Sequence, residues 1–363
     1  MVAAFYVSGH GFGHATRDVE IIRALARQEP SLKVEVRTSA PAWLFGGLRN
    51  VTLTPAETDT GVAQLDSLRL DEEKTAADAA RFHATFDDRV AHEAAALRDQ
   101  RAAVVVGDIP ALAFAAAARA GVPSVALANF TWDWIYEGIP HFESLAPGVL
   151  TTLRDAYART SLALRLPMHG GFAPMRSVTR DIPLVARRSS RRRAETRQLL
   201  ELPDHERVVL VSFGGHGLDL DYEAIAAKGR FLLVVTDRES RETRSRGPLR
   251  HVGNRDLAAH DLRYEDLVAA SDVVVTKPGY GIVSECAANG TALVYASRGS
   301  FVEEDVLVRA MPGLVRSCCI AREDLLAGRW HQAIEGVLAQ PAPGEHVRAD
   351  GADQAAAAIL DFL

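Results

Sequence analysis

Ser8-Gly9-His10-Gly11-Phe12-Gly13-His14 follows directly on the apolar run 2–7, and Lys277-Pro278-Gly279-Tyr280-Gly281 follows a second apolar run, 272–276. Each turn leads into a helical pattern. An apolar strand, a glycine turn and a helix make up the repeating unit of a parallel α/β sheet, and ligands bind at the carboxyl ends of such strands. One unit opens the chain and the other lies far along it. The pair predicts two facing Rossmann-like domains with parallel sheets.

The size agrees with two domains, because 363 residues exceed what one hydrophobic core usually serves. Apolar residues make up 48% and charged residues 24% of the chain, values that suggest neither disorder nor a membrane protein. No apolar run reaches the roughly 20 residues that span a bilayer, and Met1 enters the first strand without a basic leader, so a cytoplasmic location is expected. Cys286, Cys318 and Cys319 form no disulfide framework or zinc-finger spacing and read as packing residues. A net charge of −6 argues against a nucleic-acid partner, and the six arginines of 187–197 read as a solvated face between domains.

Alternating strand and helix patterns run outward from both turns. In the first half we expect strands at 2–7, 33–37, 103–106 and 124–128, helices at 15–28 and 109–120, and one long polar helix over 71–101. In the second half strands are expected at 207–213, 231–235, 272–276 and 292–295. The organisation predicted is an N-terminal domain over 1–170, a linker over 171–193, a C-terminal domain over 194–345, and an alanine-rich helix in 346–363 packing back across the linker.

The first turn has the spacing G-x-G-x-G, not G-x-G-x-x-G, and Glu35 lies inside its strand where a ribose-binding acid would cap the strand end. This counts against a dinucleotide. His14 stands at a helix start, whose positive dipole end disfavours imidazolium, which makes it the candidate general base. Asp108, ending a buried strand, is placed to hold its other ring nitrogen, although an N-cap role before Pro110 also fits. His10 fits an acceptor contact or a loop hydrogen bond. The two histidines have no third metal ligand nearby in sequence, so no metal is expected.

In the second half, Phe213-Gly214-Gly215-His216-Gly217 ends another strand and offers backbone N–H groups to a diphosphate. Lys277, Gly279, Tyr280, Gly281, Ser284 and Glu285 surround a helix start suited to an anion. Glu285 would accept from ribose hydroxyls or serve only the helix dipole. No G-x-x-x-x-G-K-[ST] motif occurs.

The glycine turn followed by Val283-Ser284-Glu285-Cys286-Ala287-Ala288-Asn289-Gly290 resembles the donor-binding segment of GT-B glycosyltransferases, the peptidoglycan N-acetylglucosaminyltransferase family in particular. Over most of the chain, 9–17, 129–136, 213–215 and 301–304 resemble the glycosyltransferase-like N-terminal region of plant L-arabinokinases, without the kinase half. The resemblance implies a GT-B fold, a nucleoside-diphosphate sugar as co-substrate held by the C-terminal domain, and a small-molecule or lipid-linked acceptor on the N-terminal one. It assigns Glu285 to the ribose and Glu303 and Glu304 to sugar hydroxyls, where the family commonly has glutamine or Asp-Gln. Glu303-Glu304 also reads as a solvated helix start. Phe12, Trp132 and Asp133 would line the acceptor pocket, or in Trp132-Asp133-Trp134 form a packing block. The implied activity is inverting, metal-independent glycosyl transfer. Gly11-Phe12-Gly13-His14-Ala15-Thr16-Arg17 also resembles a G-x-G-H-x-x-R motif of sugar-nucleotide hydrolases, and a nucleotide-sugar sensor without turnover stays open, as do peripheral membrane contact and oligomeric state.

Overall fold

A computed structural model describes residues 1–66, 68–214, 218–237, 244–299, 301–344 and 347–363. In the first half, strands β1 (Val2–Val7), β2 (Lys33–Thr38), β3 (Val51–Pro55), β6 (Ala102–Asp108), β7 (Ser124–Ala128), β8 (Leu162–Arg165) and β9 (Thr179–Asp181) form one parallel sheet. Its order is β3-β2-β1-β6-β7-β8-β9, and a two-stranded hairpin, β4 (Ala63–Asp66) and β5 (Arg69–Asp71), stands apart from it. The order reverses between β1 and β6. There the diverging crossovers leave a crevice at the strand ends. Register makes this exact in sequence terms: Val7 pairs with Asp108, so the first glycine turn begins beside that carboxylate.

The second sheet repeats the plan with β10 (Val208–Ser212), β11 (Leu232–Asp237), β12 (Arg244–Arg246), β13 (Leu249–Gly253), β14 (Val273–Thr276), β15 (Ala292–Tyr295) and β16 (Ser317–Cys319) in the order β12-β13-β11-β10-β14-β15-β16. Only β12 is antiparallel, at an edge. Ser212 pairs with Thr276, which brings the turns after β10 and β14 together. Continuous Val and Leu runs suit these strands because both faces are covered by helices.

Apolar packing runs from one domain into the other. Phe5 and Leu25 of the first domain, Leu184 and Val185 of the crossing segment, Leu210 and Met311 of the second domain and Ile359 of the last helix belong to one buried cluster. The helix Gly351–Leu360 lies against the first helix, Gly13–Gln28, with Arg27 paired to Asp353 at 2.7 Å, and the Gly351 N–H donates to the Leu184 carbonyl of the crossing segment. Two side chains cross in opposite directions. Leu68, from the hairpin, is buried in the core of the second domain, while Phe301, from the second domain, is buried among Trp132, Tyr136 and Phe142 of the first.

Three expectations are corrected. The single helix over 71–101 is two, Glu72–His83 and Phe86–Asp99. The break lets Phe82 and Phe86 both enter the aromatic core, and Asp87 and Asp88 in the second helix's first turn complement its dipole. The segment read as a linker holds a short 3-10 helix, Ala173–Val178, and then β9, which extends the first sheet; the crossing itself covers 182–192. The arginines of 187–197 are not merely a solvated face, since Arg197 is buried and donates to the Ala270 carbonyl and to Asp272.

Candidate active site

The turn after β1 folds as a ligand-binding loop because Gly11 takes φ +68°, a conformation open to glycine, and the helix Gly13–Gln28 then starts at the crevice. That start sets His14 against Asp108. His14 Nδ1 lies 2.8 Å from Asp108 Oδ1, and both side chains are almost wholly buried. Pro110 occupies the N-cap of the next helix, so the Asp108 carboxylate is turned to the histidine and not to a cap. Arg17, one turn along the first helix, grips the same carboxylate: Nε donates to Oδ2 at 2.5 Å and Nη2 donates to Oδ1. Burial acts to raise the Asp108 pKa, but the Arg17 guanidinium and His14 hold it below the usual carboxylate range.

Arg17 Nη1 donates to Asn129 Oδ1 at 2.7 Å, and Asn129 Nδ2 donates to Glu303 Oε1 at 3.0 Å. Glu303 and Glu304 are buried, which excludes a solvated helix start. Arg298 serves both: Nη2 is 3.4 Å from Glu303 Oε2, and its backbone N–H donates to Glu304 Oε2 at 2.8 Å. Lys277 sits nearby, its Nζ 3.4 Å from Gln64 Oε1 of the hairpin. Burial first, and then Arg298, push its pKa down to about 8.

The remaining predicted residues divide. Gly279 and Gly281 stand at the start of the helix Tyr280–Asn289, with open space around Gly279, and Gly214 takes φ +66° after β10. Gly215 and His216 lie outside the described residues. Tyr280 is buried with its ring under the Arg17 guanidinium, 5.2 Å from ring centroid to Cζ, and the Val185 N–H approaches its hydroxyl at 3.4 Å, so it joins the domains and offers no face to a donor. The Ser284 hydroxyl donates to the Gly281 carbonyl within its own helix. Glu285 is buried and accepts from Arg187 Nε at 2.6 Å; burial raises its pKa and Arg187 opposes that rise.

On the acceptor side, His10 packs edge-on to Trp132 at 5.6 Å, and the Val62 N–H approaches its Nδ1 at 3.4 Å. Phe12 meets Trp43 edge-on at 5.5 Å. Trp132 and Asp133 are both buried in the aromatic packing block; Trp132 stacks on Tyr136, lines a small internal cavity with Asp59 and Tyr136, and lies 6.2 Å from the His14 ring.

Three further residues, Arg17, Asp59 and Trp43, join those expected at the site. Arg17 carried a signal, as the last residue of the G-x-G-H-x-x-R stretch. Asp59 accepts from Ser8 Oγ at 2.9 Å and from Trp132 Nε1 at 2.8 Å, and burial raises its pKa to about 6. Trp43 is 59% exposed, an unusual setting for a tryptophan, and stands after β2 on the crevice side. Neither of these last two sits in a motif. Among the described residues no cluster of three or more His, Cys, Asp or Glu is placed to hold a metal, and no helix is long and apolar enough to cross a membrane.

Two sheets, each opening at a switch point toward the other, with the chain's end returned to the first domain, match solved glycosyltransferases over their full length. The glycotransferase of kitacinnamycin superposes with a TM-score of 0.65 at 18% identity, covering 100% of this chain and 99% of that one. The chain has the GT-B glycosyltransferase fold. Spinosyn rhamnosyltransferase SpnG gives a TM-score of 0.61 at 14% identity, covering 100% of this chain and 96% of that one. UGT2 of Phytolacca americana, solved with UDP-2-fluoro-glucose and pterostilbene, gives 0.59 at 13% identity, with 99% and 93% covered. In sequence, L-arabinokinase of Arabidopsis thaliana is 32% identical over 351 residues, 92% of this chain; the chain spans about a third of that protein, 32% of its length. No family model matches. Within the GT-B frame the His14–Asp108 pair belongs to the N-terminal domain, and Glu303 of the C-terminal one is joined to it through Asn129 and Arg17.

Proposed function

We propose that this chain transfers a sugar from a nucleoside-diphosphate sugar, with UDP as the first base to test, to a hydroxyl of a small-molecule or lipid-linked acceptor, with inversion and without a metal ion. The observation that carries the reading is the buried His14–Asp108 pair set at the junction of the two domains. His14 Nε2 removes the acceptor proton, the acceptor oxygen bonds to the anomeric carbon, and the bond to the diphosphate breaks with its electron pair leaving on the phosphate oxygen. Asp108 stabilises the imidazolium. The departing charge falls between the N-termini of the helices Gly13–Gln28 and Tyr280–Asn289, with Lys277 and Arg298 adding positive charge, which answers the electrostatic need a metal would otherwise meet. Glu303 and Glu304 accept from the sugar hydroxyls, and Glu285, on exchanging Arg187, from the ribose.

One observation favours a second reading. The His14 side chain is only 6% exposed, which favours a small nucleophile such as water over a bulky acceptor, and hydrolysis of the nucleotide sugar follows from the same dyad. A thermal-shift series with UDP, dTDP, GDP, ADP and NAD, then turnover of the matching nucleotide sugars with and without acceptors, separates the readings. Stabilisation by a nucleoside diphosphate with acceptor-dependent turnover is the expected result. Free sugar released equally fast without acceptor assigns the hydrolase, and stabilisation by NAD alone overturns both.

A further inference from the structure

His14 acts as a base only in one tautomer. Neutral imidazole carries one N–H and one lone pair, so the lone pair stands on Nε2 only when the hydrogen is on Nδ1. Two neighbours compete for Nδ1. Asp108 Oδ1, at 2.8 Å, accepts its hydrogen, whereas Arg17 Nη2, at 2.9 Å, has only hydrogens to give and favours the opposite tautomer. Which neighbour prevails depends on how the guanidinium is held. Its Nε and Nη2 edge lies along Asp108, and Nη1 is fixed by Asn129 Oδ1 at 2.7 Å. The orientation of the Asn129 amide follows from its partners. Arg17 can only donate, so the amide oxygen faces Arg17 and the nitrogen is turned to donate to Glu303 Oε1. Asn129 is completely buried, so bulk solvent does not compete for either contact.

We propose that Asn129 is a positioning residue: it holds Arg17 flat against Asp108, keeps the hydrogen of His14 on Nδ1, and ties that base-competent state to Glu303 of the opposite domain. The inference rests on the proposed function for the roles of His14 and Glu303. The base is armed where the C-terminal domain presents Glu303, and the same carboxylate is the one a donor sugar would engage. Without Asn129, Arg17 Nη1 loses its acceptor and the guanidinium turns a hydrogen toward His14 Nδ1, leaving Nε2 protonated and without a lone pair.

The test compares the full chain with Asn129→Ala and the milder Asn129→Ser, both checked for a native melting transition. The expected result is a fall in kcat of about 10-fold or more, up to the roughly 100- to 10,000-fold that a positioned base contributes, with donor KM little changed. Nitrogen NMR of histidine-labelled protein reads the tautomer directly: a bare Nε2 on His14 in the parent, a bare Nδ1 in Asn129→Ala. An unchanged tautomer, or a loss confined to KM, overturns the proposal. Should the parent turn over no nucleotide sugar, the functional reading fails while the NMR comparison still decides the role of Asn129; should Asn129→Ala not fold, Asn129→Ser carries both measurements.

Discussion

Gly281 faces Gly13 across the domain boundary so closely that a Cβ added to Gly281 would lie 3.6 Å from the Gly13 Cα. The two glycine turns that stand far apart in sequence therefore form one cradle, with a helix N-terminus on each side. A methyl group there makes ordinary contact, but a branched side chain meets backbone that cannot yield. Gly281→Val is expected to weaken nucleoside-diphosphate binding by about 10-fold or more, equivalent to roughly 1.4 kcal/mol, while Gly281→Ala stays near the parent. Calorimetric titration decides this, and an unaltered affinity in Gly281→Val would place the diphosphate elsewhere.

His14→Ala and Asp108→Asn should resemble each other in activity and differ in stability. Each removes the base function, for a loss of about 100- to 10,000-fold in turnover. Only Asp108→Asn also leaves the buried Arg17 guanidinium without its counter-charge, at a cost of about 3–5 kcal/mol. Paired rate and denaturation measurements test the contrast; equal stability would mean that Arg17 has another counter-ion.

Lys277 links donor affinity to alkaline pH. Its folded-state pKa, about 8, lies below the ordinary 10.5, so its charge costs folding free energy at lower pH, and that cost is relieved as pH rises through 8. The charge is also what a diphosphate would use. Lys277→Met should raise the melting temperature at pH 7 while weakening nucleoside-diphosphate binding, and should abolish the decline in affinity above pH 8. A variant that melts lower than the parent contradicts the sign.

Asp59 supplies a limb on the acid side. Its pKa is raised from 3.8 to about 6, chiefly by burial, so the folded state holds an extra proton across that window and stability contributed by the protonated form is lost as pH rises through 6. Ionisation beside His14 also supports the imidazolium formed during turnover. The pH profile of kcat/KM should rise through about 6, and Asp59→Asn should flatten that rise and remove its share of the stability slope. A profile identical to the parent's would show that Asp59 does not titrate there.

The reciprocal insertions predict that the domains are held together by a few side chains. Leu68→Ala, a truncation 1% exposed in the opposite domain's core, should cost about 2–5 kcal/mol, and Phe301→Ala about 3–5 kcal/mol. Both should raise the protease sensitivity of the crossing segment 182–192. Resistance equal to the parent's would mean that the shared apolar cluster suffices.

Much of the plan was readable because it follows local rules. Val2–Val7, Ser124–Ala128 and Ala292–Tyr295 fall where the apolar runs place them, and His14, at a helix start, meets Asp108, at a strand end, as their positions suggest. The edge strands were less legible. The β3 run Val51–Pro55 and the short β9 strand carry little apolar pattern, since an edge strand buries only part of its surface. The division of 71–101 into two helices was signalled by Asp87 and Asp88, but an alanine-rich stretch offers no propensity barrier to mark the break.

The sequence by itself determined the two α/β units and their glycine turns, because strand, turn and helix depend on residues near one another in the chain. The tertiary structure decided which groups meet. Arg17 reaches Asp108 and Asn129, Leu68 and Phe301 exchange domains, Trp132 packs among Phe130 and Tyr136, and Asp59 comes to rest beside Ser8. Those contacts join residues tens to hundreds of positions apart, and they depend on strand register and on how two apolar surfaces close over buried charge, which no local pattern encodes.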